Sequence, residues 1–484
     1  MNNDCQLNYV NKYYVYNITL IKLCKHIRAL EESTRICFFA GKDKKTLTAK
    51  RGVDIVNAEI LTIGDGLVVK RMLILCLVLV LLLGGCAGMG EQGEDFTLIT
   101  ATDLHYLAPE LTDQGAFFTQ MLAAADGKVT YYCEELTEAF LAEVRAQKPD
   151  ALILTGDLSF NGAVESHKAL AEKLAAVEAA GIPVYVLPGN HDVYNHYAAG
   201  FQGDSYYLVE PATAEDFAAI YGAFGFDEAV ARDEDSLSYM AQLNEKTRLL
   251  MLDTNTLEKP CGLSKNTLAW IEEQLAAAQA ADQRVIAAGH QNLYKHTVFN
   301  FGYVISQGET LAVLLRQYGV EVFFSGHLHT QHIMTQEGLT EIVTSSLAVT
   351  PCQYGLLYRE KGAYRYETKP TDVAAWAGAR GSTDEILLDF PDYAREYFDQ
   401  CTRSKIGQQT DFAGFSQEQQ EAMLDYACLL NRAYFSGDLR EAALADPEGS
   451  IWQLWDESGT RMGAYFATFR EELGLDYTHW QSGE

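Results

Sequence analysis

Five short segments of this chain end in side chains that bind metal ions. "TATDLH" ends in Asp103 and His105, and "TGDLSF" carries Asp157. "PGNHD" carries Asn190 and His191, "AAGHQN" carries His290, and "SGHLHTQH" carries His327 and His329. Five of the chain's 11 histidines fall among these few residues, a concentration that composition does not explain. Carboxylate, carboxamide oxygen and imidazole suit Mn, Fe or Zn, whereas Ca and Mg prefer all-oxygen cages and structural zinc favours thiolates. Such a set supports hydrolysis at paired divalent ions, which need one shared bridging group and a terminal set for each ion.

The elements that must position these residues can be read from the flanking pattern. Each segment closes a short apolar run: "FTLITA", "ALILT", "IPVYVL", "RVIAAG" and "VEVFFS". Amphipathic periodicity predicts helices between them, over 134–147, 164–180, 265–281 and 309–318. Strands alternating with helices of this length predict an α/β domain with covered sheets. Ligands in such sheets collect beyond the C-terminal ends of the strands, which is where all five segments fall. Glycines 156, 189, 289 and 326 precede the polar residues and allow tight turns and close backbone approach.

Two further runs, "SLSYMAQL" and "RLLMLDTN", predict a hairpin about Asn244-Glu245, and "LTEIVTSSLAV", "YGLLYRE" and "AYRYET" predict a closing antiparallel set. Residues 195–235 are acidic and aromatic and read as an insertion with one helix, 214–221, that could wall the pocket. Beyond Tyr366 the pattern turns helical, over 383–403, 416–435, 450–456 and 460–473.

In their order, D-L-H, G-D, G-N-H-D, G-H and G-H-L-H resemble the signature blocks of the calcineurin-like metallophosphoesterase superfamily, over residues 95 to about 360. The resemblance implies a two-sheet αββα sandwich with a binuclear metal centre. It sends Asp103, His105 and His329 to one ion and Asn190, His290 and His327 to the other, with Asp157 bridging. It also gives His191 the phosphoryl contact and the protonation of the leaving oxygen, with a hydroxide between the ions as nucleophile. Purple acid phosphatases carry a tyrosine ligand three residues after the bridging aspartate. Phe160 stands there, which implies a colourless enzyme. "GDLSFNG" and "PGNHD" are similar to the class that contains cyclic-nucleotide phosphodiesterases, so a small phosphodiester is the expected substrate. A phosphomonoesterase, a nuclease of the same superfamily and a non-catalytic surface interaction protein stand as alternatives. Asp192 is expected to hydrogen-bond behind the site rather than bind metal.

The remaining histidines divide. His332 is expected on an outgoing strand outside the ligand set, and His167 as a structural or solvated helix residue. His196 and His296 could face the pocket. Tyr294, Phe299, Phe301 and Tyr303 could stack on a base or aryl group, or form the core of a loop.

Ahead of the α/β domain, Lys70 and Arg71 precede the apolar run from Met72 to Leu83, too short to span a bilayer and suited to a signal segment. Leu83-Gly84-Gly85-Cys86 resembles a bacterial lipobox, with Cys86 lipidated and the protein exported and membrane-anchored. The expected organisation is an over-long extension over 1–68, the signal over 69–86, a linker over 87–95, the phosphoesterase domain over 96–366 and a helical region over 367–484. Residues 72–484 carry a net charge of −34, which disfavours nonspecific nucleic-acid binding unless metal reverses the field locally. Cys133, Cys261, Cys352, Cys401 and Cys428 are widely spaced and show neither a zinc ribbon nor a disulfide framework.

Overall fold

A computed structural model describes residues 95–483, except 124, 126 and 299–301. The expected extension, the signal segment and Cys86 lie outside the described residues, as do Phe299 and Phe301.

Two sheets form the α/β body. The first contains β1 (Phe96–Ala101), β2 (Ala151–Thr155), β3 (Val184–Leu187), β13 (Gln353–Glu360), β14 (Ala363–Pro370) and β15 (His479–Gln481), in the order β15-β14-β13-β1-β2-β3. Strands β1, β2 and β3 are parallel, and β13 joins β1 antiparallel. The second contains β6 (Ala231–Arg232), β7 (Tyr239–Asn244), β8 (Thr247–Leu252), β9 (Arg284–Gly289), β10 (Val322–Ser325), β11 (His332–Gln336) and β12 (Leu339–Val343), in the order β11-β12-β10-β9-β8-β7-β6. With helices covering the sheets, this is the expected α/β sandwich with a helical C-terminal region. β2, β3 and β10 are buried at every residue, which is why they read as unbroken apolar runs rather than alternating ones.

The helices Cys133–Gln147, Val164–Glu178, Lys265–Ala280 and Gly308–Gln317 match the periodic stretches. The hairpin of β7 and β8 also forms as the sequence predicts. The closing set does not form as one unit. β12 belongs to the second sheet, parallel to β10 and antiparallel to β11, while β13 and β14 belong to the first. Residues 344–352 carry the chain from one sheet to the other between them. The insertion holds a hairpin besides its helix: β4 (Ala199–Gln202) pairs with β5 (Ser205–Leu208). Its helix, Ala214–Ile220, starts at a capping box of Thr213 and Asp216.

The helical stretch expected over 383–403 is broken at Asp389. A short helix, Glu385–Leu388, ends there and Phe390–Gln409 begins with Pro391 in its first turn, the one helical position that tolerates a missing N–H. The C-terminal helices have a core of their own, including Met423, Leu430, Trp452, Trp455, Phe466 and Phe469. Full burial of each such side chain stabilises by about 1.5–3 kcal/mol. Among the described residues no helix is long and apolar enough to cross a membrane, and all five described cysteines are free thiols.

Candidate metal centre

The C-terminal ends of β1, β2 and β3 in one sheet and β9 and β10 in the other deliver the polar residues to one place. The loops leaving β1 and β2 run side by side. Asp103 N–H donates to the Gly156 carbonyl and His105 N–H to the Asp157 carbonyl, both at 3.0 Å. The sheets are stitched together through a candidate ligand: His327 N–H donates to Asp103 Oδ2 at 2.9 Å. Five of the eight residues, Asp103, His105, Asp157, His327 and His329, adopt positive φ values of 45° to 68°. Non-glycine residues rarely take this conformation, and it clusters at functional sites because the surroundings must enforce it.

Around Asp103 the donors converge tightly. His329 Nε2 lies 3.2 Å from Asp103 Oδ1 and 3.1 Å from His105 Nε2. His105 Nε2 is 3.7 Å from Asp103 Oδ1 and 3.9 Å from Asp157 Oδ2. Asp103 Oδ2 is occupied by Thr102 Oγ1 and the His327 amide, whereas buried Oδ1 has no hydrogen-bond partner. A second group forms about the other oxygen of Asp157. His290 Nε2 lies 3.4 Å from Asp157 Oδ1, 3.1 Å from Asn190 Oδ1 and 3.2 Å from His327 Nδ1. The two oxygens of Asp157 therefore face different groups.

Backbone carbonyls set the tautomers. His290 Nδ1–H donates to the Thr155 carbonyl at 2.8 Å, turning the Nε2 lone pair inward. His327 Nε2–H donates to the Gly302 carbonyl at 2.9 Å, which turns Nδ1 inward instead. His191 Nδ1–H donates to the Phe160 carbonyl at 2.8 Å, leaving Nε2 directed at Asp157 Oδ2, 3.8 Å away. The His191 side chain is 21% exposed, whereas those of His105 and His290 are fully buried, so His191 is open to a ligand in solution.

Protonation fits the same picture. Burial opposes ionisation of Asp103, but the charge of nearby His329 overrides it and holds the carboxyl well below the usual range. Burial likewise opposes ionisation of Asp157, and the charges of His290 and His191 reverse that. Burial, followed by the Lys128 ammonium and His191, holds His105 neutral. Burial and then His290 push His327 down to about 3. For His290 burial is outweighed by Asp157, and its pKa rises to about 9. Ionised carboxylates, the neutral imidazoles of His105 and His327 and the unpartnered Asp103 Oδ1 make a donor set that fits divalent cations, and a bound cation would displace the His290 proton.

Residues 96–331 match the family profile described as calcineurin-like phosphoesterase. These residues form a calcineurin-like phosphoesterase domain. Residues 372–471 match a second profile, the C-terminal domain of cyclic nucleotide phosphodiesterase. This phosphoesterase is 26% identical over 242 residues, 49% of the chain and 77% of the relative, to an Arcobacter nitrofigilis protein named "Probable glycerophosphodiester phosphodiesterase GpdQ". It is 28% identical over 222 residues to the Homo sapiens "Serine/threonine-protein phosphatase CPPED1", covering 43% of the chain and 61% of that relative. A dimetal phosphatase from Danio rerio aligns over 57% of the chain and 96% of its own, at 15% identity and a TM-score of 0.42.

Other sequence-predicted residues of the phosphoesterase lie elsewhere. Asp192 is buried and touches no candidate ligand side chain. Its oxygens accept from the amides of Leu158, Ser159 and Gly189 and from Ser159 Oγ, tying the loop after β2 to the loop after β3. His167 is buried and structural, held by the Asp192 carbonyl and Tyr221 OH. His196 is exposed. His296 and His332 face each other through their Nδ1 atoms at 2.9 Å, and His296 Nε2 donates to buried Glu341, so neither joins the ligand groups. Tyr294, 4% exposed, packs into the core of the second sheet and offers no stacking surface. Tyr303 stays beside the site, its ring 5.0 Å from that of His327.

Sequence reasoning missed Thr102 and Ser346, whose hydroxyls bond Asp103 Oδ2 and the Asp103 carbonyl. It also missed Lys128. Thr102 could have been found as the polar neighbour of a ligand; the other two carry no motif.

Proposed function

We propose that this centre hydrolyses a phosphate ester with two divalent cations, and that the substrate is a small phosphodiester. The observation that supports it is the convergence of two donor groups on opposite oxygens of Asp157, with His191 Nε2 beside them. Asp103, His105 and His329 would hold one cation, Asn190, His290 and His327 the other, and Asp157 both. Bound cations would supply Lewis acidity, neutralising charge on the phosphoryl oxygens and acidifying the attacking water. His191 would hold the leaving group in place and deliver a proton from Nε2 to its oxygen as the phosphorus–oxygen bond breaks. Water adds its oxygen to phosphorus, and the products are an alcohol and a phosphate or phosphomonoester. The C-terminal profile and the bacterial relative favour a cyclic nucleotide or a glycerophosphodiester; the human relative supports a phosphomonoester as the second reading.

Metal analysis coupled to a panel of phosphomonoesters and phosphodiesters tests this. The expected result is two divalent ions per chain, a higher kcat/KM on diesters, and loss of metal and turnover together in Asp157→Asn. Faster turnover of monoesters would overturn the diester assignment, and no turnover with Mn, Fe or Zn would overturn the enzyme reading. His191→Ala with unchanged turnover of bis(p-nitrophenyl) phosphate would refute the proton-donor role. The reading also places the enzyme outside the cytoplasm on a lipidated Cys86. Mass analysis of the N-terminal peptide from cells should show a diacylglyceryl cysteine, and an unmodified Cys86 would sink that part.

A further inference from the structure

His191 takes its aim from a backbone oxygen. Its Nδ1–H donates to the Phe160 carbonyl at 2.8 Å, which leaves Nε2 facing Asp157 Oδ2. That carbonyl belongs to the peptide joining Phe160 to Asn161, so whatever fixes residues 160–164 also fixes the ring. The insertion, residues 195–235, supplies several of these fixtures. The Phe160 ring meets Phe201 of β4 edge-on at 6.2 Å. Buried Asn161 donates from Nδ2–H to the Ala199 carbonyl, also in β4, at 2.9 Å. Where the insertion returns, Ala212 N–H donates to the Gly162 carbonyl at 2.8 Å, and Val164 N–H donates to the Glu210 carbonyl at 3.2 Å.

The insertion also reaches the backbone of His191 itself. Asn195 Nδ2–H donates to the His191 carbonyl at 3.2 Å, while Asn195 Oδ1 accepts from the Tyr197 amide at 3.0 Å. Gly162 closes against both: a Cβ there would lie 2.8 Å from the His191 carbonyl oxygen and 2.9 Å from Asn195 Cβ, and its φ is 76°. Packing does not account for Asn161. It is fully buried, and its Oδ1 has no hydrogen-bond partner among the described residues. An orphaned amide oxygen in the interior costs stability, so such a residue serves something other than packing. The bond that its other end makes, to Ala199, sits one residue beyond the Phe160 carbonyl.

We propose that Asn161 is a positioning residue for His191, locking the Phe160–Asn161 peptide to the insertion, and that Phe201 braces the same peptide from the Phe160 side. Loosening that peptide lets the imidazole turn, and Nε2 loses its line to the leaving oxygen while both groups of metal donors stay in place. The inference rests on the reading of His191 as the proton donor. It gives the insertion a task in the reaction, which is to set the aim of the group that protonates the leaving oxygen.

A proton donor matters most when the leaving group is poor. The test therefore compares phenyl with p-nitrophenyl esters of whichever phosphate class the metal-loaded enzyme turns over. The variants are Asn161→Ala, Phe201→Leu, His191→Ala, Asn161→Ala/His191→Ala and Thr213→Ala, with kcat, KM, bound metal and melting temperature read for each. Asn161→Ala should lose about tenfold to a hundredfold in kcat on the phenyl ester and about threefold or less on the p-nitrophenyl ester, with KM and bound metal unchanged. Phe201→Leu should show the same asymmetry to a smaller extent, and it carries the test if Asn161→Ala does not fold. Asn161→Ala should cost little more in the His191→Ala background. Thr213→Ala removes the cap of the insertion's helix; it should lower the melting temperature and leave the ratio between the two esters unchanged. Equal losses on the two esters, loss of metal, additive losses with His191→Ala or a changed ratio in Thr213→Ala would overturn the positioning role. So would Asn161→Ala within about twofold of wild type on the phenyl ester. His191→Ala treating both esters alike would sink the proton-donor reading instead, and wild type inactive on every phosphoester would sink the phosphoesterase reading, so the three failures are separable.

Discussion

Gly189→Ala isolates how tightly the centre is packed. Gly189 does not use the left-handed region, so the change introduces volume without backbone strain. A Cβ there would lie 2.2 Å from both the backbone nitrogen and Oδ1 of Asp157, and 2.9 Å from its Cγ. Opening those contacts to the 3.4 Å of ordinary packing must displace Asp157 itself, because the atoms struck are its backbone and its carboxylate. Overpacking of this kind costs about 1–3 kcal/mol of stability. A displacement on the order of 1 Å at a reacting centre costs roughly a hundredfold in rate. The assay is turnover of bis(p-nitrophenyl) phosphate with metal content and melting temperature measured on the same sample. Gly407→Ala is the control: Gly407 is exposed in a helix with nothing within 4 Å, and the change should stabilise by about 0.5–1 kcal/mol without affecting turnover. If Gly189→Ala kept its metal and stayed within about threefold of wild-type kcat, the tight placement of Asp157 argued here would be refuted.

Asp192→Ala strands the buried amides of Leu158, Ser159 and Gly189. It should destabilise by about 3–5 kcal/mol in urea unfolding, since each buried orphan costs about 1–3 kcal/mol; a loss under about 1 kcal/mol would contradict the bonding pattern. Burial holds the His167 pKa below its ordinary value despite the neighbouring Asp192. The unfolded chain therefore takes up a proton that the folded one refuses, and stability should be full above about pH 6.5 and decline as the pH falls below it. His167→Gln should flatten that decline in melts between about pH 7 and pH 5, and an unchanged slope would remove His167 as its source.

The site was legible because its residues sit directly behind buried strands, where an apolar run, a glycine and a ligand are adjacent in sequence. What joined the five segments was the strand ends themselves, and those are written locally. The pairing of His296 with His332 is not, because His296 stands on the loop after β9 and His332 opens β11, and only the fold brings them together. Tyr294 looked like a pocket residue because it lies four positions past His290, yet the amides of Leu293 and Tyr294 are captured by Glu341, and the ring turns into the core. Lys128 follows no recognisable run, and the ring packed against its neighbour Gly127 is that of Phe398, far along the chain. Strand β15 is three residues long, too short to show alternation, and exists because β14 offers it an edge.

That last strand changes what the helical region is. It leaves the first sheet at β14 and returns to the same sheet, at the neighbouring position, in β15. The helices are therefore a loop with both feet on one sheet, not a body hung from a single linker. A two-footed loop cannot swing aside on a hinge, so opening and closing of the site by rotation of this region is geometrically disfavoured. Cutting the chain after β14 would also bare the part of its edge, Arg365 to Glu367, that β15 pairs with, an invitation to pair with another molecule. Its role is better probed by point substitution at its contacts than by its removal.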